Sequence, residues 1–313
     1  MKVLVLGAGA VGGYFGGRLA EKGADVTFLV REKRKQQLTE RGLRIESVHG
    51  DARLEPNVIT SGEAVRPYDL VILSTKAYSS EQLLAAVESV APYVGEHSVI
   101  LPLLNGIAHM ELLQQRFGEE RVLGGLCFIE STLNEHGDVI QTSPVHRLLY
   151  GEWKGGRSSR VEALEKLFAG AGASFVLSED IVREMWHKYM FIATMSGMTT
   201  LMQAAVGPIR DSQYGPELTR QLFEETAAVI RATGAAIDSQ IVEKQMDMFG
   251  KQGYNMKSSM LRDMEKGLPV EADYLQGYLL RLAERHNVST PLLQIVYNNL
   301  KVYEIKRAAL EKV

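Results

Sequence analysis

The stretch MKVLVLGAGAVGGYFGGRL, residues 1–19, decides how the rest of the chain is read. Lys2 to Leu6 reads as a short buried strand, and Gly7-Ala8-Gly9-Ala10-Val11-Gly12 follows it as a Gly-x-Gly-x-x-Gly turn that opens a helix near Ala10. Strand, glycine turn and helix in that order are the fingerprint of a dinucleotide site, because each glycine answers a separate steric demand. Gly7 allows the sharp turn off the strand, Gly9 leaves no side chain between backbone and pyrophosphate, and Gly12 lets the helix lie close to the sheet. The unpaired amides at the helix start face the phosphates, where the helix dipole also favours negative charge. Tight packing without a ligand would account for Gly12, Gly13, Gly16 and Gly17, but it gives Gly9 no purpose.

Downstream of the turn, Asp25 to Val30 reads as a second strand with Arg31 at its end and Lys33 and Arg34 close behind. An acidic residue there would bond the ribose 2'-hydroxyl of NAD, whereas a guanidinium suits the 2'-phosphate of NADP, so NADPH/NADP+ is the expected cofactor. Without the fingerprint, the same basic residues would read as the solvated face of the next helix. Leu43 to Val48 and Ala52 to Val58 resemble a hairpin around His49-Gly50-Asp51. Tyr68 to Ser74 reads as a buried strand that delivers Thr75-Lys76-Ala77-Tyr78, and a helix over 80–91 leads to a strand over 98–104 and the turn Asn105-Gly106. Ligands in open parallel sheets bind beyond the carboxyl ends of the strands, which directs Lys76 and Asn105 toward the cofactor. Asn-Gly also serves as an ordinary turn. Strands are predicted over 122–130, 137–141, 147–150 and 175–177, with a helix over 161–171.

From Asp180 the texture changes to long amphipathic runs, 181–204, 216–234, 238–249, 258–266, 272–286 and 291–311. The expected fold is therefore α/β: a Rossmann-type dinucleotide-binding domain over 1–179, then an all-helical substrate and catalytic domain over 180–313. A length of 313 residues agrees with two domains. The net charge of -3 gives no general attraction to nucleic acid or to an anionic membrane, so neither is an expected partner. Cys127, the single cysteine, fits a reducing cytoplasm and reads as a small buried apolar residue. The apolar N-terminal run lacks a basic n-region and is broken by glycines, and no later run is suited to spanning a bilayer, so a cytoplasmic protein is expected. The histidines form no ligand-spaced pair backed by acids, and no metal is expected. The outer face of 291–311 suits either a core or an interface, which leaves a monomer and a homodimer both open.

The ordered set of glycine fingerprint, Arg31, strand-end Lys76, Asn105-Gly106 and a helical second half resembles the ketopantoate reductases (2-dehydropantoate 2-reductases). Trp186-His187-Lys188-Tyr189 and Lys257-Ser258-Ser259-Met260-Leu261-Arg262-Asp263, followed by Glu271-Ala272-Asp273-Tyr274-Leu275-Gln276-Gly277, carry most of the likeness. The resemblance implies that Lys188 hydrogen-bonds the keto oxygen and delivers its proton. It also implies that Glu271 supports the lysine and contacts the cofactor, that Ser259 binds the substrate carboxylate, and that Lys76 and Asn105 line the region between cofactor and substrate. The residue types suit the chemistry: negative charge grows on the carbonyl oxygen during reduction, and an ammonium already in place stabilises and then neutralises it. Alone, Lys188 would read as a surface charge, Glu271 as a first-turn helix charge and Ser258 or Ser259 as an N-cap. The family places asparagines four and eight residues after the lysine, where this chain has Ile192 and Ser196. Loss of an amide removes a contact worth about 1 kcal/mol, which bears on the substrate more than on the reaction. Asn255, four residues before Ser259, is a candidate replacement.

The resemblance implies NADPH-dependent reduction of 2-dehydropantoate to (R)-pantoate, a step of pantothenate and coenzyme A synthesis. An alternative keeps the fold and chemistry and changes the small-molecule substrate to another 2-oxo acid. A third, a non-catalytic NADP-binding regulator, has no use for Lys188, Ser259 and Glu271.

Overall fold

The computed structural model describes residues 1–76 and 78–310. Ala77 and residues 311–313, which include the end of the predicted terminal helix, lie outside the described residues. The chain clusters into a first unit of residues 1–76, 81–105 and 109–182, and a second of 77–80, 106–108 and 183–313.

In the first unit, five parallel strands, β1 (Lys2–Leu6), β2 (Asp25–Leu29), β5 (Asn57–Ile59), β6 (Tyr68–Leu73) and β7 (Val94–Pro102), stand in the order β5-β2-β1-β6-β7. The order reverses between β1 and β6, so the glycine turn after β1 sits at the topological switch point where open α/β sheets bind ligands. A second sheet runs β10-β9-β3-β4, with β8 also paired to β9. Its strands are β3 (Leu43–Ser47), β4 (Ala52–Leu54), β8 (Gly124–Leu133), β9 (Val139–Gly151) and β10 (Ser174–Leu177).

Helix α1 (Ala10–Glu21) can be buried against both sheets because its glycines form two small-residue faces. A Cβ on Gly16 would lie 2.8 Å from Phe28 of β2, and one on Gly17 would lie 2.6 Å from Ile45 of β3. The helices α2 (Glu32–Arg41), α3 (Ser80–Val90), α4 (His109–Phe117) and α5 (Ser159–Phe168) complete the α/β layers.

Three sequence expectations change here. The strand expected over 52–58 breaks at Pro56, whose missing N–H cannot extend the ladder. β4 therefore stops at Leu54, and β5 crosses to the first sheet to pair with β2. The strands expected over 137–141 and 147–150 are one continuous β9, in which pairing with β8 lapses around Pro144 while the chain stays extended. Helix α4, too short for a strong periodic signal, was not predicted.

The second unit holds α7 (Val206–Asp211), α8 (Gly215–Ala232), α9 (Ile241–Gly250), α10 (Ser259–Glu265), α11 (Gln276–Arg285), α12 (Pro291–Leu310) and, from Arg183 on, α6 (Ile181–Met202). Helix α7 was also missed by periodicity. Leu292, Leu293, Val296 and Leu300 bury one face of α12, while Ile295, Val302 and Ile305 are exposed on the other. Among the described residues no helix is long and apolar enough to cross a membrane.

Glu225 of α8 is buried and accepts from the N–H groups of Leu292 at 3.1 Å and Leu293 at 2.9 Å, so it caps α12 from a neighbouring helix. Charge-assisted bonds at a helix N-terminus are worth more than ordinary ones. Glu225→Ala is expected to lower unfolding stability by about 2 kcal/mol, read as a lower urea midpoint; an unchanged midpoint would remove the capping role.

Candidate active site

The glycine turn has the geometry the sequence predicts. Gly7 adopts φ +92, a left-handed conformation that disfavours other residues, directly after β1. A Cβ on Gly12 would lie 2.0 Å from the Ser74 hydroxyl and 2.2 Å from the Gly7 carbonyl. Gly12→Ala is therefore expected to destabilise the fold by about 1–3 kcal/mol and to weaken cofactor binding, measured by urea unfolding and NADPH titration; retention of both at wild-type values would contradict the close approach. Gly9 differs from its neighbours: its φ is -83 and a Cβ would meet nothing within 4 Å. Neither backbone strain nor protein packing explains a glycine there, and the space above it is what a pyrophosphate needs. Gly9 is also the N-cap of α1 and supplies no side-chain cap, so the amides that follow are left for a ligand. Ala8 is buried, and Ala10 and Val11 are partly exposed within the same turn.

Two residues that brace this turn were missed by sequence reasoning. The Ser74 hydroxyl donates to the carbonyls of Leu6 at 3.0 Å and Gly7 at 3.2 Å, tying the end of β6 to the turn. Arg34 folds inward and donates from Nε to the Ala8 carbonyl at 3.0 Å. Burial lowers its pKa, against the opposing charge of Asp138. Neither role follows from spacing, since both depend on strands and helices meeting in three dimensions. The basic residues grouped behind β2 thus divide. Arg34 is structural, whereas Arg31 and Lys33 are exposed and their side chains make no hydrogen bond or ion pair among the described residues. Arg31 is the N-cap of α2 through its backbone, with φ -76 and ψ 158, and its guanidinium stays uncommitted at the end of β2.

Lys76 is exposed three residues beyond the end of β6. Asn105 is partly exposed three residues beyond the end of β7, followed by Gly106 at φ +74.

The remaining predicted residues belong to the second unit, on α6, at and before the start of α10, and before α11. Lys188 is partly exposed on a helix whose positions 189, 190 and 193–200 are buried. Ile192, one turn on and on the same face, is also partly exposed. Ser196 is buried, and its hydroxyl donates to the Ala193 carbonyl and accepts from the Gln276 amide at 2.9 Å. His187 is turned away from Lys188's role, with Nε2 accepting from the Asp238 N–H at 3.2 Å. Glu271 is buried in the turn before α11. Of the two adjacent serines, Ser258 is the N-cap of α10, accepting from the Leu261 N–H at 3.1 Å and bonding Thr199 at 2.7 Å. Ser259 is left exposed with no partner among the described residues. Asn255 is exposed in a loop pinned to α7, where the Val206 and Gly207 amides donate to the Met256 and Tyr254 carbonyls. A cavity of about 630 Å³ beside α11 and α12, lined by Glu284, Asn287 and Tyr297 among others, contains none of these residues.

A parallel sheet with a glycine turn at its switch point, followed by a helical unit, defines a protein with a Rossmann-type dinucleotide-binding fold. Comparison with known proteins agrees and is narrower. The profile described as "Ketopantoate reductase PanE/ApbA" matches residues 3–155, and that described as "Ketopantoate reductase PanE/ApbA C terminal" matches residues 180–304. The chain belongs to the ketopantoate reductase family. It is 46% identical to "Uncharacterized oxidoreductase YkpB" of Bacillus subtilis (strain 168), over 98% of this chain and 100% of that protein. The crystal structure of 2-dehydropantoate 2-reductase from Geobacter metallireducens GS-15 is similar at TM-score 0.86 and 29% identity, covering 96% of this chain and 99% of that one. A ternary structure of D-mandelate dehydrogenase with NADH and anilino(oxo)acetate shares the fold, with TM-score 0.87 at 20% identity over 98% of this chain and 100% of that one.

Proposed function

We propose that this protein is an NADPH-dependent reductase that converts 2-dehydropantoate to (R)-pantoate, the reaction named for its family relatives. The observation that carries the reading is Lys188, a cation partly exposed on α6 on the same face as Ile192, between the buried positions 185–186 and 189–190. The nicotinamide supplies a hydride when bound. Residues 1–179 hold it: Gly7 to Gly12 receive the pyrophosphate, Arg31 the 2'-phosphate, and Lys76 and Asn105 the ribose and nicotinamide side. Residues 180–313 hold the substrate and the acid. Lys188 donates a hydrogen bond to the keto oxygen and then its proton, so charge growing on that oxygen is met by a group already in place. Glu271 supports the ammonium and contacts the cofactor, and the Ser259 hydroxyl, free of helix capping, binds the substrate carboxylate. That reaction is a step of pantothenate and coenzyme A synthesis, which this reading places in the cytoplasm.

A second reading, reduction of another 2-oxo acid, rests on the two positions that follow Lys188 on its face. Ile192 offers only hydrocarbon, and the Ser196 hydroxyl is committed to Ala193 and Gln276. A substrate with an apolar side chain suits that face, as the D-mandelate dehydrogenase likeness also suggests. Steady-state assays of 2-dehydropantoate and a panel of aliphatic and aromatic 2-oxo acids, each with NADPH and NADH, decide between them. Highest kcat/KM for 2-dehydropantoate with NADPH supports the first reading; an apolar 2-oxo acid well above it establishes the second. No turnover of any of them removes both.

A further inference from the structure

Lys188 and Glu271 lie on different segments of the second unit, and hydrogen bonds from two neighbouring side chains join those segments. The Tyr189 hydroxyl donates to the Leu275 carbonyl at 2.5 Å. The Gln276 amide donates to the Ala193 carbonyl at 3.0 Å and to the Ser196 hydroxyl at 2.9 Å. Leu275 is itself bonded back to Glu271, its N–H donating to the Glu271 carbonyl at 2.9 Å. A path of hydrogen bonds thus runs from Tyr189, the neighbour of Lys188, through Leu275 to Glu271. Tyr189 and Gln276 are both fully buried. Burial holds the Tyr189 phenol well above its usual pKa, so it remains a neutral donor.

Neither side chain is needed to satisfy the backbone it touches. The Leu275 carbonyl also accepts from the Leu279 N–H at 3.3 Å, and the Ala193 carbonyl also accepts from Ser196 at 3.3 Å. Gln276 Oε1 meanwhile is buried without a hydrogen-bond partner among the described residues. A buried amide oxygen left unpaired lowers stability, so an apolar side chain of similar length would serve packing at least as well. A polar group held there at that cost points to a role other than folding.

We propose that Tyr189 and Gln276 are positioning residues, which clamp α6 to the segment preceding and opening α11 and so fix the backbone of Lys188 relative to that of Glu271. The proposal rests on Lys188 being the proton donor. Tyr189→Phe and Gln276→Met are compared with wild type and Lys188→Ala, using the most active 2-oxo acid of the panel. Each is expected to lose about tenfold or more in kcat, with NADPH affinity held and the thermal midpoint of Gln276→Met unchanged or raised. A carboxylate held less closely supports the ammonium less, so the alkaline limb of the kcat profile moves to lower pH. A purely structural pair would lower the thermal midpoint and leave kcat and its pH profile in place, which overturns the proposal. If Lys188→Ala turns over at the wild-type rate, the donor assignment fails and the clamp with it. If Lys188→Ala is inactive while both other variants keep the wild-type kcat and profile, the positioning role alone fails. Tyr189→Phe removes a single oxygen and carries the test should Gln276→Met not fold.

Discussion

Lys188→Ala is expected to lower kcat by about 10²- to 10⁴-fold, the range typical of a positioned general acid, with the affinity for NADPH unchanged. The argument starts from placement. Lys188 keeps part of its surface on a helix that is buried at positions 185, 186, 189, 190 and 193–200. Its truncation deletes the group that meets negative charge on the carbonyl oxygen, an interaction that strengthens only as the reaction proceeds, so the loss falls on kcat more than on KM. Lys188→Arg refines the test. A guanidinium keeps the positive charge but does not release its proton in a protein, so it restores at most the electrostatic part. Single-turnover rates with saturating NADPH measure both variants. A Lys188→Ala enzyme within a few-fold of wild type would remove this residue from the chemistry.

Arg31→Ala is expected to raise the KM for NADPH by about 10- to 100-fold, the equivalent of one charge-assisted contact worth roughly 1.5–3 kcal/mol, and to leave the KM for NADH nearly unchanged. Arg31 has no other duty: its side chain caps nothing and pairs with nothing among the described residues. Unfolding stability should therefore be unaffected, in contrast to Arg34, whose guanidinium is built into the glycine turn. Because Arg31 is exposed, its contribution should also shrink as salt screens the contact. Equal damage to NADPH and NADH would mean that Arg31 does not read the 2'-phosphate.

Much of the fold was legible because its signals are local. A buried strand, a glycine turn and a helix are encoded within the first nineteen residues, and the observed β1 and α1 follow that reading. The change from mixed strands and helices to helices alone near residue 180 is likewise written in periodicity. What failed were features that depend on a partner. The strand expected over 52–58 looked continuous until Pro56 divided it between two sheets, and the short helices α4 and α7 carry too few turns to announce themselves. In the candidate site, the sequence could nominate Ser258 or Ser259 but not distinguish them. The structure makes Ser258 the cap and leaves Ser259 free, because only one of two adjacent residues can aim its hydroxyl at the helix amides. Ser196 illustrates the same limit. Its type suggests an available hydroxyl, whereas its burial beside Gln276 commits it.

By itself, then, the sequence determined the dinucleotide turn, the basic residue at the end of β2 and the helical nature of the second half, since steric and periodic demands on neighbouring residues leave a local record. Only the tertiary structure decided that Gly9 faces open space, that Arg34 turns inward while Arg31 does not, and that Tyr189 and Gln276 tie α6 to the chain after Glu271. Those outcomes turn on which distant groups meet, and hydrogen bonds between residues 189 and 275 or 34 and 8 leave no periodic trace in a chain.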